Sequence, residues 1–170
     1  MPQLSIDPAP ARGYAGQLLP GCPKYAVACT AETGAVAGGM PVKRGTNPEK
    51  QALPFAPGDT PTQANVMGVV LLETSRPSTG IEAGSPIAVL RFGTCFMEFA
   101  EAVTAGEQVG LTLATGLLTG VPHGTAAGAL AAGIVVLPGL RIASTITAAG
   151  MAAVEVNCFG AQDAATVGAL

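Results

Sequence analysis

The fold is indicated most clearly by residues 87–99, which read IAVLRFGTCFMEF. Two apolar runs, Ile87–Arg91 and Cys95–Phe99, lie on either side of Gly93, and each has the length of a β-strand. Because glycine is common where a strand bends or turns, this pattern predicts a bent strand or a hairpin centred on Gly93.

Similar short apolar runs recur along the chain at roughly ten-residue spacing and are separated by turn residues. In Val109–Leu113 the apolar side chains alternate with Gly110 and Thr112, which is the period of a strand. Leu140–Thr147 and Ala152–Asn157 are expected to form a final pair. The alternation of strands with helices that a parallel α/β fold needs is missing, and a helical turn is plausible only at Ala126–Ala132. The further predicted strands are Tyr25–Cys29, a brief strand around Val42, and Val66–Leu72.

This spacing predicts a mainly β protein, either an antiparallel sandwich or a small barrel, with a jelly roll among the open topologies. Residues 26–170 are expected to form one domain. Residues 1–25 read as an extended N-terminal arm, because prolines interrupt any helix or central strand there. We expect the arm to remain mobile or to lie over a neighbouring surface, anchored by Tyr14, Leu18, Leu19 and Tyr25.

The composition favours a chain that buries much of its surface against copies of itself or a partner. Of the 170 residues, 49% are hydrophobic, whereas only 11% are charged and 4% are aromatic. The net charge is −3, and the eight lysines and arginines are scattered along the sequence. Nucleic-acid binding is therefore not expected, since it needs a dense basic face.

Membrane and export signals are not expected either. Residues 108–140 carry no charge, but glycines and prolines break them too often for a spanning helix. The first ten residues lack the basic and apolar regions of a secretory signal. The four cysteines form no CxxC pair and the chain has one histidine, so we expect no zinc site. Because an export signal is not expected, we expect the thiols to be free. No cofactor is expected.

Catalytic groups are few. The single histidine, His123, lies in the turn-like stretch Val121–Thr125, where a solvated loop residue is the ordinary interpretation. Glu98 and Glu101 are close in sequence, but they fit the solvated edge of a turn better than a pair of catalytic carboxylates. No phosphate-binding loop or GxSxG motif is present, so the sequence favours a protein that is not an enzyme.

Six segments carry a family resemblance through their order and spacing. They are residues 35–51 (AVAGGMPVKRGTNPEKQ), 56–59 (APGD), 68–71 (GVVL), 81–93 (IEAGSPIAVLRFG), 102–109 (AVTAGEQV) and 143–157 (ASTITAAGMAAVEVN). This arrangement resembles the structural cement, or decoration, proteins of tailed-bacteriophage capsids, over residues 13–157. The resemblance implies a non-enzymatic protein, made in the host cytoplasm, that stabilises the head from its outer surface. Such proteins commonly form trimers and bridge neighbouring capsomers of the major capsid protein.

We expect the contacts with the capsid or between subunits to involve two regions. The first is the arm, with the four anchors named above. The second is the loop Arg44–Gln51, because surface loops often carry binding residues. Its candidate contact residues are Arg44, Asn47, Lys50 and Gln51.

Two other classes of function stay open at this point. One is a different virion component, such as a tail, spike or shell subunit. A glycan-binding spike should display clustered aromatic side chains, and the chain has only two tyrosines, five phenylalanines and no tryptophan. The other is a small hydrolase that uses His123 with a cysteine, or the pair Glu98 and Glu101.

Overall fold

The computed structural model describes residues 13–34, 36–72, 81–125 and 129–159, and these ranges contain nine β-strands and no α-helix. The strands are β1 (Tyr25–Ala31), β2 (Pro41–Arg44), β3 (Gln51–Pro54), β4 (Val66–Val70), β5 (Pro86–Phe99), β6 (Gln108–Thr112), β7 (Leu118–Val121), β8 (Ile134–Ile142) and β9 (Gly150–Asn157). The prediction of a mainly β protein is thus confirmed.

Five of these strands close into a small barrel. They pair in the order β1-β3-β2-β4-β5, and β5 returns to pair with β1. Every pair is antiparallel except β1 with β3, which run parallel and are joined only at Thr30 and Ala31. Of the topologies that the sequence left open, the small barrel is the one that forms.

A second set of strands continues from the barrel in the order β5-β9-β8-β6-β7. The first half of β5 pairs with β1 and β4, whereas its second half, Phe92–Phe99, pairs with β9. Gly93 lies at the change of partner and has a φ of 133°. The sequence therefore indicated this element correctly as a bent strand, and the hairpin alternative does not form.

The barrel interior is filled by small and medium apolar side chains, which suits the narrow space inside five strands. All five strands contribute to this cluster, and Met67 is its largest member. Its buried residues are Cys29, Ala31, Val36, Val42, Ala52, Met67, Val70, Ile87 and Val89.

A second and larger cluster lies under the other strands. Phe99, Met97 and Leu137 are among its largest fully buried side chains. Strand β4 contributes to both clusters, with Met67 and Val70 in the barrel and Val66 and Val69 in the second cluster. Every residue of β4 is consequently buried, and the strand reads as a continuous apolar run.

The described part of the predicted arm lies against its own domain. Leu18 forms an isolated antiparallel bridge with Cys95, and the Leu19 N–H donates to the carbonyl of Thr94 at 2.9 Å. Tyr25, counted above with the arm, is the first residue of β1. Residues 1–12 lie outside the described residues.

Strand boundaries differ from the predictions in the second half of the chain. Strand β8 begins at Ile134, earlier than the predicted strand Leu140–Thr147, and ends at Ile142. The end of that predicted strand is instead an irregular segment, in which Ile146 bridges to Val103. Strands β3 and β7 were not predicted. Part of the expected helical turn, residues 126–128, lies outside the described residues.

We predict that Gly68→Ala destabilises the fold strongly. Gly68 lies in β4 with a φ of 151°, and a Cβ there would overlap the carbonyl oxygen of Leu90 on β5. The expected loss is about 3 kcal/mol or more in the free energy of unfolding, measured by urea denaturation.

Gly116→Ala is the matched control for that substitution. Gly116 also has a positive φ, 73°, but nothing lies within 4 Å of the added Cβ. Only backbone strain remains there, about 1–2 kcal/mol. Equal losses for the two variants would show that the contact between β4 and β5 does not require glycine.

Candidate interaction surface

Three aromatic side chains lie together on the surface, and we call Tyr25, Phe92 and Phe159 the aromatic corner. Their exposed fractions are 48%, 38% and 43%. The ring of Phe159 lies 5.2 Å from that of Tyr25 and 5.9 Å from that of Phe92, measured between centroids. A chain with only seven aromatic residues thus places three of them in one exposed cluster, which marks the cluster as a candidate protein-contact surface.

Strand pairing positions all three rings. Tyr25 and Phe92 are directly opposite each other on β1 and β5. The chain leaving β9 is fixed to β5, because the Cys158 N–H donates to the carbonyl of Arg91 at 2.8 Å. Phe159 is the next residue and packs over the other two rings. The corner therefore depends on backbone geometry, which makes it a preorganised surface.

Arg91 supplies the positive charge of the corner. Its guanidinium carbon lies 5.5 Å from the centroid of Phe159, a cation–π geometry, and its Nη2 donates to the Cys158 carbonyl at 3.0 Å. Its Nε is buried and has no hydrogen-bond partner among the described residues. A shallow groove of about 290 Å³ adjoins the corner and is lined by residues that include Cys22, Gly93 and Glu155.

The four predicted arm residues fall into different environments. Tyr14 is the most exposed large apolar side chain of the described residues, at 72%, and lines a groove with Leu18, Leu71 and Leu72. Leu18 packs against the larger core cluster of its own chain, and Leu19 is half-buried. Only Tyr25 belongs to the aromatic corner, and the contact roles of all four residues stay predictions.

The predicted loop Arg44–Gln51 is held mainly by its own hydrogen bonds. Arg44 donates from Nε to the Ala64 carbonyl at 2.9 Å and from Nη1 to the Pro48 carbonyl at 3.0 Å. The Gln51 side-chain oxygen accepts from the Asn47 N–H at 2.9 Å. Arg44 and Gln51 therefore shape the loop from within.

Neighbouring residues reinforce this loop. The Glu32 carboxylate accepts hydrogen bonds from the hydroxyl and the N–H of Thr46, and these bonds lower the pKa of Glu32. Asn47 and Lys50 are among the exposed polar residues of the loop. The loop is thus held in shape by hydrogen bonds, and its role in binding remains a prediction.

The candidate catalytic residues occupy ordinary structural positions. His123 is exposed in a turn that follows β7, as its sequence context indicated. Glu98 is exposed on β5, whereas Glu101 accepts a hydrogen bond from the Thr119 hydroxyl. Within the described ranges, no three His, Cys, Asp or Glu side chains are grouped so that they could hold a metal ion. Nor do these ranges contain a helix with the length and apolarity to cross a membrane.

Sequence reasoning missed two members of the corner, Phe92 and Phe159. Phe92 lies in the stretch 81–93 that carries part of the family resemblance, but nothing in that stretch marks it as a contact residue, and Phe159 lies outside all six stretches. Each reaches the corner only through the pairing of strands. The pairing of Tyr25 with Phe92, and of Arg91 with Cys158, was the missing information.

Comparisons with known proteins identify a family and solved structures with a similar fold. The family model described as "Structural cement protein (E217 gp24/Pam3 gp6)" matches residues 2–157. A chain in the solved structure of the capsid of Myoviridae phage XM1 has 17% sequence identity and a TM-score of 0.66, covering 90% of this chain and 95% of that one. This likeness shows a shared fold. No match was found among curated proteins.

We predict that one thiol per folded chain reacts readily with a thiol-specific reagent at pH 8, and that this thiol is Cys22. All four cysteines are free, but only Cys22 is not buried. Burial, with a contribution from nearby Cys158, raises the pKa of Cys95 to about 12, and burial raises the pKa of Cys158 to about 11. Burial also raises the pKa of Cys29. Because the thiolate is the reactive form, these three should react only after unfolding.

The count of labelled thiols by mass spectrometry, with and without denaturant, checks this prediction. A Cys22→Ala variant should then show no rapidly reacting thiol. Rapid labelling of Cys95 or Cys158 in the folded protein would contradict the packing of the larger core.

Proposed function

Because the chain belongs to the family of phage structural cement proteins, we propose that it coats the outer surface of a tailed-phage head and bridges neighbouring capsomers of the major capsid protein. The family assigns it a structural role in the virion capsid. In this proposal the protein stabilises the shell by linking capsid subunits that would otherwise separate under internal pressure.

The observation that best supports a binding role is the aromatic corner. Exposed aromatic clusters with an adjacent arginine are typical of the residues that contribute most to protein–protein binding. The rings and Arg91 are already held in place, so little conformational entropy is lost on binding. We propose that this corner is the main contact surface of the protein within the shell.

We further propose that the protein acts as a homotrimer and without enzymatic activity. A symmetric oligomer presents several identical contact surfaces at once, and linking them raises the effective affinity for a symmetric lattice. The low charge of the chain supports this arrangement, because uncharged surfaces lose little on desolvation. In this scheme the exposed His123 and Glu98 have no catalytic task.

The first test is the ratio of this chain to the major capsid protein in purified particles, measured by quantitative mass spectrometry. A lattice-wide cement should be present at a ratio near one to one. A few copies per particle would instead identify another virion component, such as a spike or tail subunit, and would contradict the proposal.

The second prediction concerns the corner itself. We expect the double variant Tyr25→Ser/Phe159→Ser to bind particles lacking the protein at least about 30-fold more weakly than the unmodified chain, because each exposed anchor ring contributes about 1–2 kcal/mol. Binding can be measured by co-sedimentation with the particles.

Leu117→Ser is the matched control for that variant. Leu117 is 53% exposed and lies outside the corner, in a groove with Gly116 and Ala149. It tests whether any loss of exposed apolar area weakens binding. Equal loss in both variants, with unchanged melting temperatures, would show that the corner is not the main contact surface.

A further inference from the structure

One edge of β1 is open beside the aromatic corner. The Thr30 N–H donates to Lys50 of the segment leading into β3, so the main-chain groups of Thr30 face away from β5. Because the main-chain groups of alternate residues in a strand point to the same side, those of Ala28 and Ala26 also face away from β5. Consistent with this, the Ala88 carbonyl opposite Ala28 accepts from Leu71, on the other side of β5.

No described strand covers this edge. Strand β3 pairs with β1 only at Thr30 and Ala31, beyond the two alanines. Ala26 and Ala28 are both exposed, and each presents one N–H and one carbonyl on the open side. The run Tyr25–Cys29 has neither a charge nor a proline. Proteins usually protect an exposed strand edge with charged residues or prolines, so an edge without them indicates a site for strand addition.

The described arm of the same chain leads away from this edge. The arm lies along the second half of β5, where Leu19 is hydrogen-bonded to Thr94 and Gly16, earlier in the chain, is hydrogen-bonded to Phe96. Strand β1 lies along the first half of β5, from Phe92 to Pro86. Gly13, where the described arm begins, therefore lies on the far side of this contact from the open edge, which favours another copy as the source of an added strand.

The arm contains one segment suited to that edge. Residues 3–7 (QLSID) alternate Leu4 and Ile6 with polar residues, which is the period of a strand. Pro2 and Pro8 flank the segment and limit any ladder to these five residues, since proline cannot donate a main-chain hydrogen bond. The two open residues of β1 suit a partner of five residues, because only alternate residues of a strand hydrogen-bond to the same neighbour. Residues 3–7 themselves lie outside the described ranges.

We propose that residues 3–7 of a second copy add as a strand to the open edge of β1 at Ala26 and Ala28. Leu4 and Ile6 then pack beside Tyr25 and extend the apolar face of the aromatic corner. The exchange links identical copies through main-chain hydrogen bonds and apolar contacts, and repeated around a symmetry axis it closes a ring. This inference rests on the proposed function, for which it names the partner at the corner.

Cross-linking between two chains tests the exchange. A tagged chain with Ser5→Cys and an untagged chain with Ala28→Cys are co-expressed, both with Cys22→Ala so that the remaining thiols are the buried ones. A short bis-maleimide should join tagged to untagged chains, both in the free protein and on particles. Ala114→Cys replaces Ala28→Cys as the control, because Ala114 is exposed in the turn between β6 and β7; it should give no cross-link.

Self-association of two double variants tests whether the apolar side chains of residues 3–7 matter more than added negative charge. Leu4→Asp/Ile6→Asp should weaken self-association at least about tenfold by analytical ultracentrifugation, because it removes two apolar contacts. Gln3→Asp/Ser5→Asp adds the same charge on the alternate positions and should change it by less than about threefold.

Three results would overturn the exchange. The first is a cross-link that forms when Ser5→Cys and Ala28→Cys are placed in the same chain but not between tagged and untagged chains. The second is a cross-link from residue 5 to the major capsid protein instead of to β1, and the third is no cross-link in either setting. Any of them combined with intact particle binding would leave the proposed function standing. Equal weakening of particle binding in Tyr25→Ser/Phe159→Ser and in the control Leu117→Ser, with cross-linking preserved, would contradict the proposed role of the corner in particle binding and would leave the exchange standing.

Discussion

The fold depends on one long strand that changes its partners halfway along. In its first half β5 closes the barrel between β1 and β4, and in its second half it pairs with β9 on one side and with the arm on the other. The change requires an unusual backbone at Gly93, where φ is 133° and a Cβ would approach the Pro23 carbonyl to 2.9 Å. A side chain at this point would crowd the segment Pro23–Lys24 that leads into β1.

The candidate surface follows from the same change of partner. Phe92, one residue before Gly93, pairs with Tyr25 on one side and with Asn157 on the other. Three chain segments therefore meet there, and each brings one ring of the aromatic corner. The binding surface is in this sense a product of the topology, because the rings come together only where the barrel and the second set of strands join.

Local patterns predicted the strands that have a clear period or a continuous apolar run, such as Val109–Leu113 and Val66–Leu72. Strand β3 was missed because its four residues, QALP, carry a proline and follow a turn. The start of β8 was missed because its first residues, IVVLPG, form a continuous apolar run with no period of two and then a proline and a glycine. The corner could not be predicted, since it depends on the register between segments more than sixty residues apart in sequence, such as Arg91 and Cys158.

The scarcity of aromatic residues has a structural reason that bears on binding. The interior of a five-stranded barrel is too narrow for many large rings, and here valine, alanine, cysteine, isoleucine and one methionine fill it. Phe99 is the only aromatic side chain among the buried residues of either described cluster. Because the core needs so few rings, the low aromatic content of the sequence does not indicate a weak contact surface. Three of the rings that remain are concentrated where they contribute most to protein–protein contact, at a preorganised and partly exposed corner.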